Sequence, residues 1–438
     1  IDQQGSVVLG ATSVGMIDLN GSVIGGEFKS NNSGTIIKFN SRGEYAWSRV
    51  FGNNSSGSQQ IQAVAIDSSG EIIVSGTFMG GNLRITDPRN NWIGGTAGSG
   101  KVPVFVAKLT SAGSVAWAKS ANGGNAGDPW VQGLSIDSSG MVNVGGYYFD
   151  IDSAGFYLKA KDQPTDYRNS FLWQLNSSNG ATLRLASLGG DGVSGSDLVT
   201  ESIGGIVSRG TVTYAAGNVA GPNADLDPDS DRLASLNDQL SRVYLIRQVG
   251  MSSTARLLDA DQLAAAAGGV SLRSTPNLYI RELVADANGS RLYAFVDARP
   301  VGYNPSLNQS FIIQVDGTDL TLLAAKKIDA TLANSARLAI DADGKLLVTG
   351  SLSAPLDLGA GVAAKVGQPG PMYTVTTDYG GGEIDIQEYT SNSLFMARWE
   401  PDAASLAIYG PTVQIASART QLNSGDTSLI TFELSKPS

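Results

Sequence analysis

The residues best suited to binding a metal ion are four alternating aspartates: Asp225, Asp227, Asp229 and Asp231. Carboxylates spaced two residues apart in one loop can converge on a hard cation, and such oxygen ligands suit Ca²⁺. The spacing differs from that of an EF-hand loop. We therefore keep two hypotheses, a calcium site and a solvated acidic loop in which Pro228 makes the turn. Asp150, Asp152 and Asp357 occupy similar places elsewhere, which favours a structural role such as capping a repeated turn.

A second carboxylate group, Glu383, Asp385 and Glu388, follows three consecutive glycines. Paired carboxylates can serve as the acid and base of a glycosidase, but an exposed acidic loop explains these residues better. Histidine and cysteine are both absent, which excludes His-containing triads, thiolate nucleophiles and soft-metal sites. We therefore assign no catalytic residue and do not expect an enzyme.

Five aromatic residues lie in or beside long loops: Trp92, Trp130, Tyr303, Tyr373 and Tyr379. Exposed aromatic rings on a loop-built surface suit stacking on sugars or anchoring a protein partner. An equally weighted alternative is that each ring holds its own loop in place. Trp47 and Trp117 differ, because they occupy the same position of a repeated strand, and this predicts packing between repeats.

The composition narrows the classes of partner. The formal charge of −10 disfavours nucleic acid, because an acidic chain repels phosphate groups. No apolar run approaches the ~18 residues of a membrane span, so we expect no membrane insertion of this segment. High Gly, Ser, Asn and Asp with little Lys is typical of extracellular bacterial proteins. The chain begins at Ile1 without a signal segment, and we expect a processed product located outside the cell or at its surface.

One unit recurs six times along the chain. Its first half is a hairpin of apolar-alternating strands around an Asp/Ser/Gly turn, found at 11–28, 61–78, 131–149, 201–219, 280–298 and 336–352. Its second half is another hairpin, found at 35–50, 104–120, 170–187, 242–260, 310–327 and 394–410. The second strands share a small residue at Gly26, Gly76, Gly146, Gly217 and Gly350, which Val296 replaces in the fifth unit.

Four antiparallel strands per unit predict an all-β chain folded as a six-bladed β-propeller over residues 1–410. The tight turns within each hairpin then lie on one side, and the long connections all lie on the other, where we expect function. The segment 259–269 is the one predicted helix, with Asp259 or Asp261 as its cap and Gly268 at its end.

The segments AIDSSGEIIVSGTF, VFVAKLTSAGSVAWAK and ADLDPDSD resemble the SBBP-type bacterial β-propeller repeat. The resemblance covers about 400 residues. It is strongest in the first, second, third and sixth units, and the fourth and fifth depart from it, with no Trp in their last strands and Val296 in place of the small residue of the fifth. It implies a fold and a surface location, and it implies no reaction.

The tail, 411–438, departs from the repeat. Its segment IASARTQLNSGDTSLITFELSKPS resembles the start of the bacterial Ig-like domains of large adhesins. The tail is too short for a complete Ig-like sandwich, which needs about 100 residues. We expect a linker and the beginning of such a domain, which would make this chain the head of a longer protein. The alternative is that the tail adds strands to the propeller and forms a composite seventh blade with Ser6–Gly10.

These observations favour the non-enzymatic binding head of an exported bacterial surface protein or adhesin. It would recognise a glycan or a protein through the long-loop side of the propeller. The alternative is a structural subunit of a surface layer, sheath or filament that binds copies of itself. A carbohydrate-active enzyme is the least favoured hypothesis. We expect no organic cofactor.

Overall fold

The computed structural model describes the following residues of the 438-residue chain: 2, 4–13, 16–19, 22–24, 32–52, 57–86, 96–97, 102–123, 129–148, 150–153, 156–159, 169–189, 201–220, 224–226, 233–234, 240–272, 276–300, 308–328, 337–340, 344, 346–352, 356–357, 363–364, 373–378, 384–389, 393–399 and 413–414. Within these residues the chain is almost entirely β-structure. The predicted all-β class is confirmed.

The strands up to residue 160 are β1 (Val7–Ser13), β2 (Ile17–Leu19), β3 (Ser22–Ile24), β4 (Ser33–Phe39), β5 (Tyr45–Gly52), β6 (Gln59–Ile66), β7 (Ile72–Phe78), β8 (Gly81–Asn82), β9 (Arg84–Ile85), β10 (Thr96–Ala97), β11 (Val104–Leu109), β12 (Val115–Gly123), β13 (Trp130–Ile136), β14 (Met141–Tyr148), β15 (Asp150–Ser153) and β16 (Phe156–Lys159). Those from 160 to 300 are β17 (Asn169–Asn176), β18 (Thr182–Leu188), β19 (Ser202–Arg209), β20 (Val212–Val219), β21 (Ala224–Asp225), β22 (Leu233–Ala234), β23 (Arg242–Val249), β24 (Ser252–Leu258), β25 (Pro276–Ala285) and β26 (Arg291–Pro300). Those beyond 300 are β27 (Gln309–Asp316), β28 (Leu322–Ile328), β29 (Arg337–Ile340), β30 (Leu346–Leu352), β31 (Leu356–Asp357), β32 (Ala363–Ala364), β33 (Tyr373–Asp378), β34 (Ile384–Tyr389), β35 (Ser393–Trp399) and β36 (Val413–Gln414).

Six antiparallel sheets carry the repeat, and we number them in chain order. Sheet I has the order β1-β4-β5-β9, and sheet II has β6-β7-β11-β12, extended by the hairpin β15-β16. Sheets III, IV and V are β13-β14-β17-β18, β19-β20-β23-β24 and β25-β26-β27-β28. Sheet VI is β29-β30-β35-β36. The prediction of repeated four-stranded antiparallel units is therefore confirmed for sheets II to V, whereas the fourth strand of sheet I, β9, comes from the second unit.

An aspartate shapes the turn between the first and second strands of sheets II and III. In sheet II, the Asp67 carboxylate accepts hydrogen bonds from the backbone N–H groups of Ser69 and Glu71, both at 2.9 Å. Gly70 then adopts a φ of 79°, which a residue with a side chain rarely tolerates. Asp137 and Gly140 repeat this arrangement in sheet III. The repeated Asp/Ser/Gly pattern is thus a local turn, fixed by a side chain.

The first unit pairs differently from the prediction. A hairpin does form within 11–28, from β2 and β3, but its predicted place as the first half of the unit is wrong, because β1 pairs directly with β4. The reason lies upstream, where Asp2 accepts from the N–H groups of Gln4 and Ser6 at 3.0 and 2.8 Å, as Asp67 does in sheet II. The strand after this turn, β1, is therefore the counterpart of the second strands β7 and β14. It contains residues 7–10 of the Ser6–Gly10 segment that the alternative hypothesis placed in a composite seventh blade.

Short strands from the connections join neighbouring sheets. After the second strand of sheet II, β9 adds to the outer strand β5 of sheet I. After the second strand of sheet III, β15 likewise adds to the outer strand β12 of sheet II. Each connection therefore reaches back to the preceding sheet. In the tail, β36 pairs with β35 and so extends sheet VI to residue 414.

The core lies between successive sheets. Sheets I and II enclose one cluster, in which Phe51 and Phe105 stack with ring centroids 5.4 Å apart. Sheets II and III enclose a second cluster around the fully buried Trp173, and clusters of the same kind separate sheets III from IV and IV from V. Because each sheet is apolar on both faces, every unit depends on its neighbours for burial.

A repeated hydrogen bond also joins each of the first four sheets to the next. One side chain of an outer strand donates to a backbone carbonyl in the following sheet's last turn: Trp47 Nε1 to Ser111 (3.1 Å), Trp117 Nε1 to Ser177 (2.8 Å), Arg184 Nη1 to Met251 (3.4 Å) and Arg256 Nη1 to Asp319 (3.2 Å). The predicted packing of the tryptophans between repeats is confirmed, with Trp117 buried and Trp47 half-buried. Where Trp is missing, Arg takes its place as the donor.

The predicted helix is confirmed as α1 (Ala260–Ala266). Asp259 caps it in a capping box with Gln262, and Gly268 follows with a φ of 78°. Leu263 anchors the helix in the cluster between sheets IV and V. Within the described residues, no helix is long and apolar enough to cross a membrane.

Candidate functional site

An open cavity of about 910 Å³ lies where the six sheets meet. Its wall comes mainly from the first strands β6, β13, β19 and β25, with Thr12 of sheet I and Arg337 of sheet VI completing it. Equivalent positions of neighbouring first strands lie side by side: a Cβ on Gly133 would be 2.9 Å from the backbone nitrogen of Ile206, and one on Gly205 2.6 Å from that of Leu283. The first strands therefore run in the same direction along the wall.

The common strand direction gives the cavity a polar end and an apolar end. The residues near the beginnings of the first strands and the ends of the second strands form what we call the mouth: Gln60, Trp130, Tyr147, Ser202, Asn218, Tyr279 and Arg299. Deeper in, the same first strands contribute Val64, Leu134, Ile206 and Leu283. The mouth lies at the strand ends from which the long connections leave.

Each of these four first strands contains a β-bulge at the same position. The pairing register shifts between Ile61 and Ala63 in β6, and at the matching place in β13, β19 and β25. The extra residues are Gln62, Gln132, Gly204 and Arg281, and all four line the cavity. Because a bulge changes the direction in which a side chain points, the repeated bulges determine which side chains of the first strands line the cavity.

The bulges explain three of the small residues found in the second strands. A Cβ on Gly146 would lie 1.8 Å from the Trp130 carbonyl oxygen, and one on Gly76 would lie 1.8 Å from that of Gln60. The corresponding distance from Gly217 to the Ser202 oxygen is 2.4 Å. Glycine at these positions therefore lets the second strand approach the distorted first strand.

Aromatic rings occupy one side of the mouth. Trp130 begins β13 and is 37% exposed, and Tyr147 lies directly opposite it on β14. Tyr279 begins the equivalent part of β25, and the Arg299 guanidinium lies over its ring, 4.6 Å from the centroid. Flat apolar faces and polar edges are thus presented together at the cavity entrance.

A polar residue at the mouth also connects two sheets. Gln62 donates to the Thr77 hydroxyl at 3.2 Å within sheet II and accepts from the backbone N–H of Val131 at 3.0 Å in sheet III. Deeper between sheets III and IV, a buried chain of amides runs from Gln248 to Gln174 and Asn143, with N–O distances of 3.1 and 2.6 Å. These bonds fix the spacing of the strands that carry the wall.

Sheet V contributes a group of charges. Asp297 is buried beneath the wall and binds Arg281 in a two-point contact of 2.9 and 3.1 Å, and Arg299 at 3.2 Å. The Ser310 hydroxyl donates to the same carboxylate at 2.8 Å. Beside them, Glu282 lies 3.6 Å from the Arg337 guanidinium of sheet VI.

Glu282 has an altered acidity. Burial raises the pKa of its carboxyl to about 7, and the charges of Arg337 and Arg281 act in the opposite direction without offsetting the effect. The group therefore changes charge near neutral pH. This carboxyl is a titrating element of the cavity wall.

The structure places the predicted site residues unevenly. Trp130 lies at the mouth. Trp92, Tyr303 and Tyr379 lie outside the described residues, and Tyr373 is described only as the backbone start of β33. The predicted aromatic ligand-binding surface thus stays a prediction.

The predicted calcium ligands also fall largely outside the described residues. Asp225 belongs to the two-residue strand β21, while Asp227, Asp229 and Asp231 are not described. Asp357 and the pair Asp150 and Asp152 lie in the equivalent short hairpins β31-β32 and β15-β16. Across the part of the chain that is described, no three His, Cys, Asp or Glu side chains are placed to share a metal ion.

The other carboxylate group lies partly in β34. Asp385 and Glu388 are on that strand, paired with β33, and Glu383 is outside the described residues. The charged residues of the wall were not predicted. The signal was present in the repeat, because Gln62, Gln132 and Arg281 occupy the same place in otherwise apolar segments, IQAVAID, VQGLSID and IRELVAD.

The site thus belongs to an all-β protein built from repeated four-stranded sheets around a cavity. No family model and no curated protein matches the chain. Among solved structures, a mutant apocarotenoid oxygenase of Synechocystis is 12% identical with a TM-score of 0.34, over 68% of this chain and 58% of that one. An acylaminoacyl peptidase of Pyrococcus horikoshii is 12% identical with a TM-score of 0.36, over 83% and 46%.

A third solved structure, a DUF4221 family member from Bacteroides vulgatus, is 7% identical with a TM-score of 0.30, over 80% of this chain and 94% of that one. The matched region covers less than two thirds of the length of the oxygenase and of the peptidase. Similarity at this level carries no argument about fold or activity.

Proposed function

We propose that this chain is the binding head of an exported bacterial surface protein and that it recognises a glycan at the mouth of its cavity. The observation that carries the proposal is the placement of Trp130, which is 37% exposed, faces Tyr147 across the strand pair and lines a cavity of about 910 Å³. The six sheets are the six blades of a β-propeller, and the cavity is its central channel. The first strands of sheets II to VI lie side by side, and residues of all six sheets line one cavity, which supports this arrangement.

The chemistry of the mouth fits a sugar. The apolar face of a pyranose ring stacks on an aromatic side chain, and its hydroxyl groups need donors and acceptors close by. Trp130 supplies a ring, and Gln60, Ser202 and Asn218 supply amide and hydroxyl groups along the same rim. A protein partner that anchors its own side chain in the mouth is the other outcome that the experiment distinguishes.

The test is binding by the full chain to a panel of oligosaccharides, followed by titration calorimetry on those retained. Replacing Trp130 by Ala (W130A) should weaken binding at least about tenfold, since stacked aromatic residues typically dominate such sites. The matched control is Y45A, because Tyr45 is 38% exposed but lies on the outer part of sheet I. Equal affinities for wild type and W130A, or no glycan retained at all, would contradict the proposal.

Incubation with the same oligosaccharides also tests whether the chain is an enzyme. Release of new reducing ends during incubation with a bound oligosaccharide would move the chain to the carbohydrate-active enzymes. The calcium loop and the Ig-like tail remain part of the proposal. A rise of the unfolding temperature in calcium over that in chelator would support the loop as a site.

A second candidate is a subunit of a surface layer or filament, and strand β1 favours it. Within the described residues β1 pairs with β4 on one side only, and Val7 and Leu9 are 39% and 49% exposed. An unpaired edge with apolar side chains can accept a strand from a neighbouring copy. Sedimentation over a range of concentrations tests this, and a monomer at every concentration would exclude it.

A further inference from the structure

Three arginines line one side of the cavity in a chain whose formal charge is −10: Arg281, Arg299 and Arg337. Glu282 is the one other charged residue among the described lining residues, and the rest of that lining is neutral. Three guanidinium groups on one wall of an acidic protein create a local field opposite to its overall field. The partner of such a wall carries negative charge.

The described ion pairs of this wall involve more guanidinium groups than carboxylates. Asp297, beneath it, neutralises one guanidinium, and it is shared between Arg281 and Arg299. Glu282 faces Arg337. Among the described groups of this wall, the three guanidinium groups outnumber the two carboxylates by one, and by two when Glu282 is protonated.

Arg299 is held in position while part of its guanidinium stays unsatisfied. Its plane lies over the Tyr279 ring, and one Nη2–H bond goes to Asp297 at 3.2 Å. Its Nε is buried and has no hydrogen-bond partner among the described residues, although a buried donor normally has one. The side chain as a whole is 39% exposed and lines the cavity, so the outer part of its guanidinium is open to a ligand.

The guanidinium group favours one kind of anion. Its parallel N–H groups match the two oxygens of a carboxylate, and such bonds are shorter and stronger than neutral ones. The aromatic residues Trp130 and Tyr147 line the same cavity and offer faces for sugar rings. A ligand that carries a ring and a carboxylate on one unit engages both features at once.

We infer that the ligand is an acidic glycan, whose uronic-acid-type carboxylate binds the Arg299 and Arg337 side of the cavity while a neighbouring sugar ring stacks at the mouth. This inference rests on the proposed function and names its substrate class. Arg281 acts as a positioning residue, because its two-point contact with Asp297 holds that carboxylate where it also binds Arg299.

The experiment uses the full chain and three probes: an oligogalacturonate, the same oligosaccharide with its carboxyl groups reduced to alcohols, and a sulfated oligosaccharide of similar length. Affinities are measured by calorimetry at physiological ionic strength, since screening weakens exposed charge pairs. Wild type should bind the oligogalacturonate at least about tenfold more tightly than the reduced form, which is about 1.4 kcal/mol.

The variants distinguish binding at these arginines from a general effect of the protein's net charge. R299Q and R337Q should each weaken oligogalacturonate binding about tenfold. The Arg337 side chain is 63% exposed, so R337Q tests the inference even where R299Q disturbs the fold. R42Q is the matched control, because Arg42 is 77% exposed on a turn of sheet I and its loss changes the net charge equally. Binding by R42Q should equal that of wild type.

The pH provides a further readout of the same wall. Glu282 is faced by Arg281 and Arg337, with Asp297 and Arg299 behind them, and its charge disappears as the pH falls from about 8 to about 6. Uronate carboxyls stay ionised over this range. The affinity of wild type for oligogalacturonate should therefore rise as the pH falls, while E282Q should bind equally at both values.

The outcomes distinguish this inference from the proposed function. Equal binding of the oligogalacturonate and its reduced form, with loss in W130A, overturns the acidic ligand and keeps a glycan site. Equal binding of the sulfated probe overturns the preference for a carboxylate. No binding to any probe or to the neutral panel overturns both proposals.

Discussion

Replacing Gly146 by Ala tests whether the bulge of β13 dictates the glycine opposite it. The added Cβ would lie 1.8 Å from the Trp130 carbonyl oxygen and 2.9 Å from its carbonyl carbon. Real Cβ atoms do not approach other atoms closer than 3.0 Å, so the two strands must separate by roughly 1 Å. Because the obstructing atoms belong to the backbone, no side-chain rotation relieves the contact.

The size of the effect follows from what must move. Overpacking of this kind costs about 1–3 kcal/mol, and each hydrogen bond lost from the ladder adds about 1 kcal/mol. Reduced freedom of the unfolded chain offsets about 0.4–1 kcal/mol. We expect G146A to lower the free energy of unfolding by about 3 kcal/mol.

The control is the neighbouring residue. A Cβ on Gly145 would meet the Cδ1 atoms of Ile206 and Ile203 at 2.6 and 2.8 Å, and these side-chain ends can rotate away. G145A should therefore cost about 1 kcal/mol. Urea unfolding followed by far-ultraviolet circular dichroism gives both values. A G146A protein as stable as G145A, or within about 0.5 kcal/mol of wild type, would refute the reasoning.

Two further predictions concern the joints and turns. W117F removes the 2.8 Å hydrogen bond to the Ser177 carbonyl and should lower the free energy of unfolding by about 1–2 kcal/mol. W47F removes the equivalent bond at a half-buried position and should lower the free energy of unfolding by less. Equal losses in the two variants would argue against burial as the cause. Burial raises the pKa of Asp67, but hydrogen bonds from Ser69 and Glu71 and the charge of Lys108 outweigh it and hold the pKa below its usual range. The stability that this carboxylate adds is present above its unfolded pKa and should disappear as the pH falls through the lower folded value. In urea unfolding across this range, the advantage of wild type over D67N should shrink, and an advantage independent of pH would contradict the linkage.

Much of the fold followed from local pattern. Period-two alternation located the strands of the second to fifth units, and the Asp and Gly of turns such as Asp67–Gly70 marked where they reverse. The first unit was mispredicted because Asn20-Gly21 is itself a good hairpin signal, and β2 and β3 do form that hairpin. Pairing between β1 and β4 depends on a turn centred at Asp2, whose pattern IDQQG is a weaker version of IDSSG.

The candidate site was less predictable than the fold. Trp130 stood out because an exposed aromatic beside a loop suggests binding. Arg281 and Arg299 did not, because alternation cannot reveal a bulge, and a bulge is what brings Arg281 to the wall. Their importance depends on the strand pairing that brings Asp297 of β26 to Arg281 and on the contact of Glu282 with Arg337 of sheet VI, and alternation shows neither.

The hydrogen bond that joins each outer strand to the next sheet has an evolutionary consequence. Its acceptor is a backbone carbonyl, such as that of Ser177 or Met251, which exists whatever residue occupies the position. Its donor needs only a long side chain with an N–H group, so Trp117 and Arg184 serve equally. Units can therefore diverge until little sequence similarity remains while every seam between them is preserved. A gene that gains or loses one unit encodes a chain whose new seam already contains both partners.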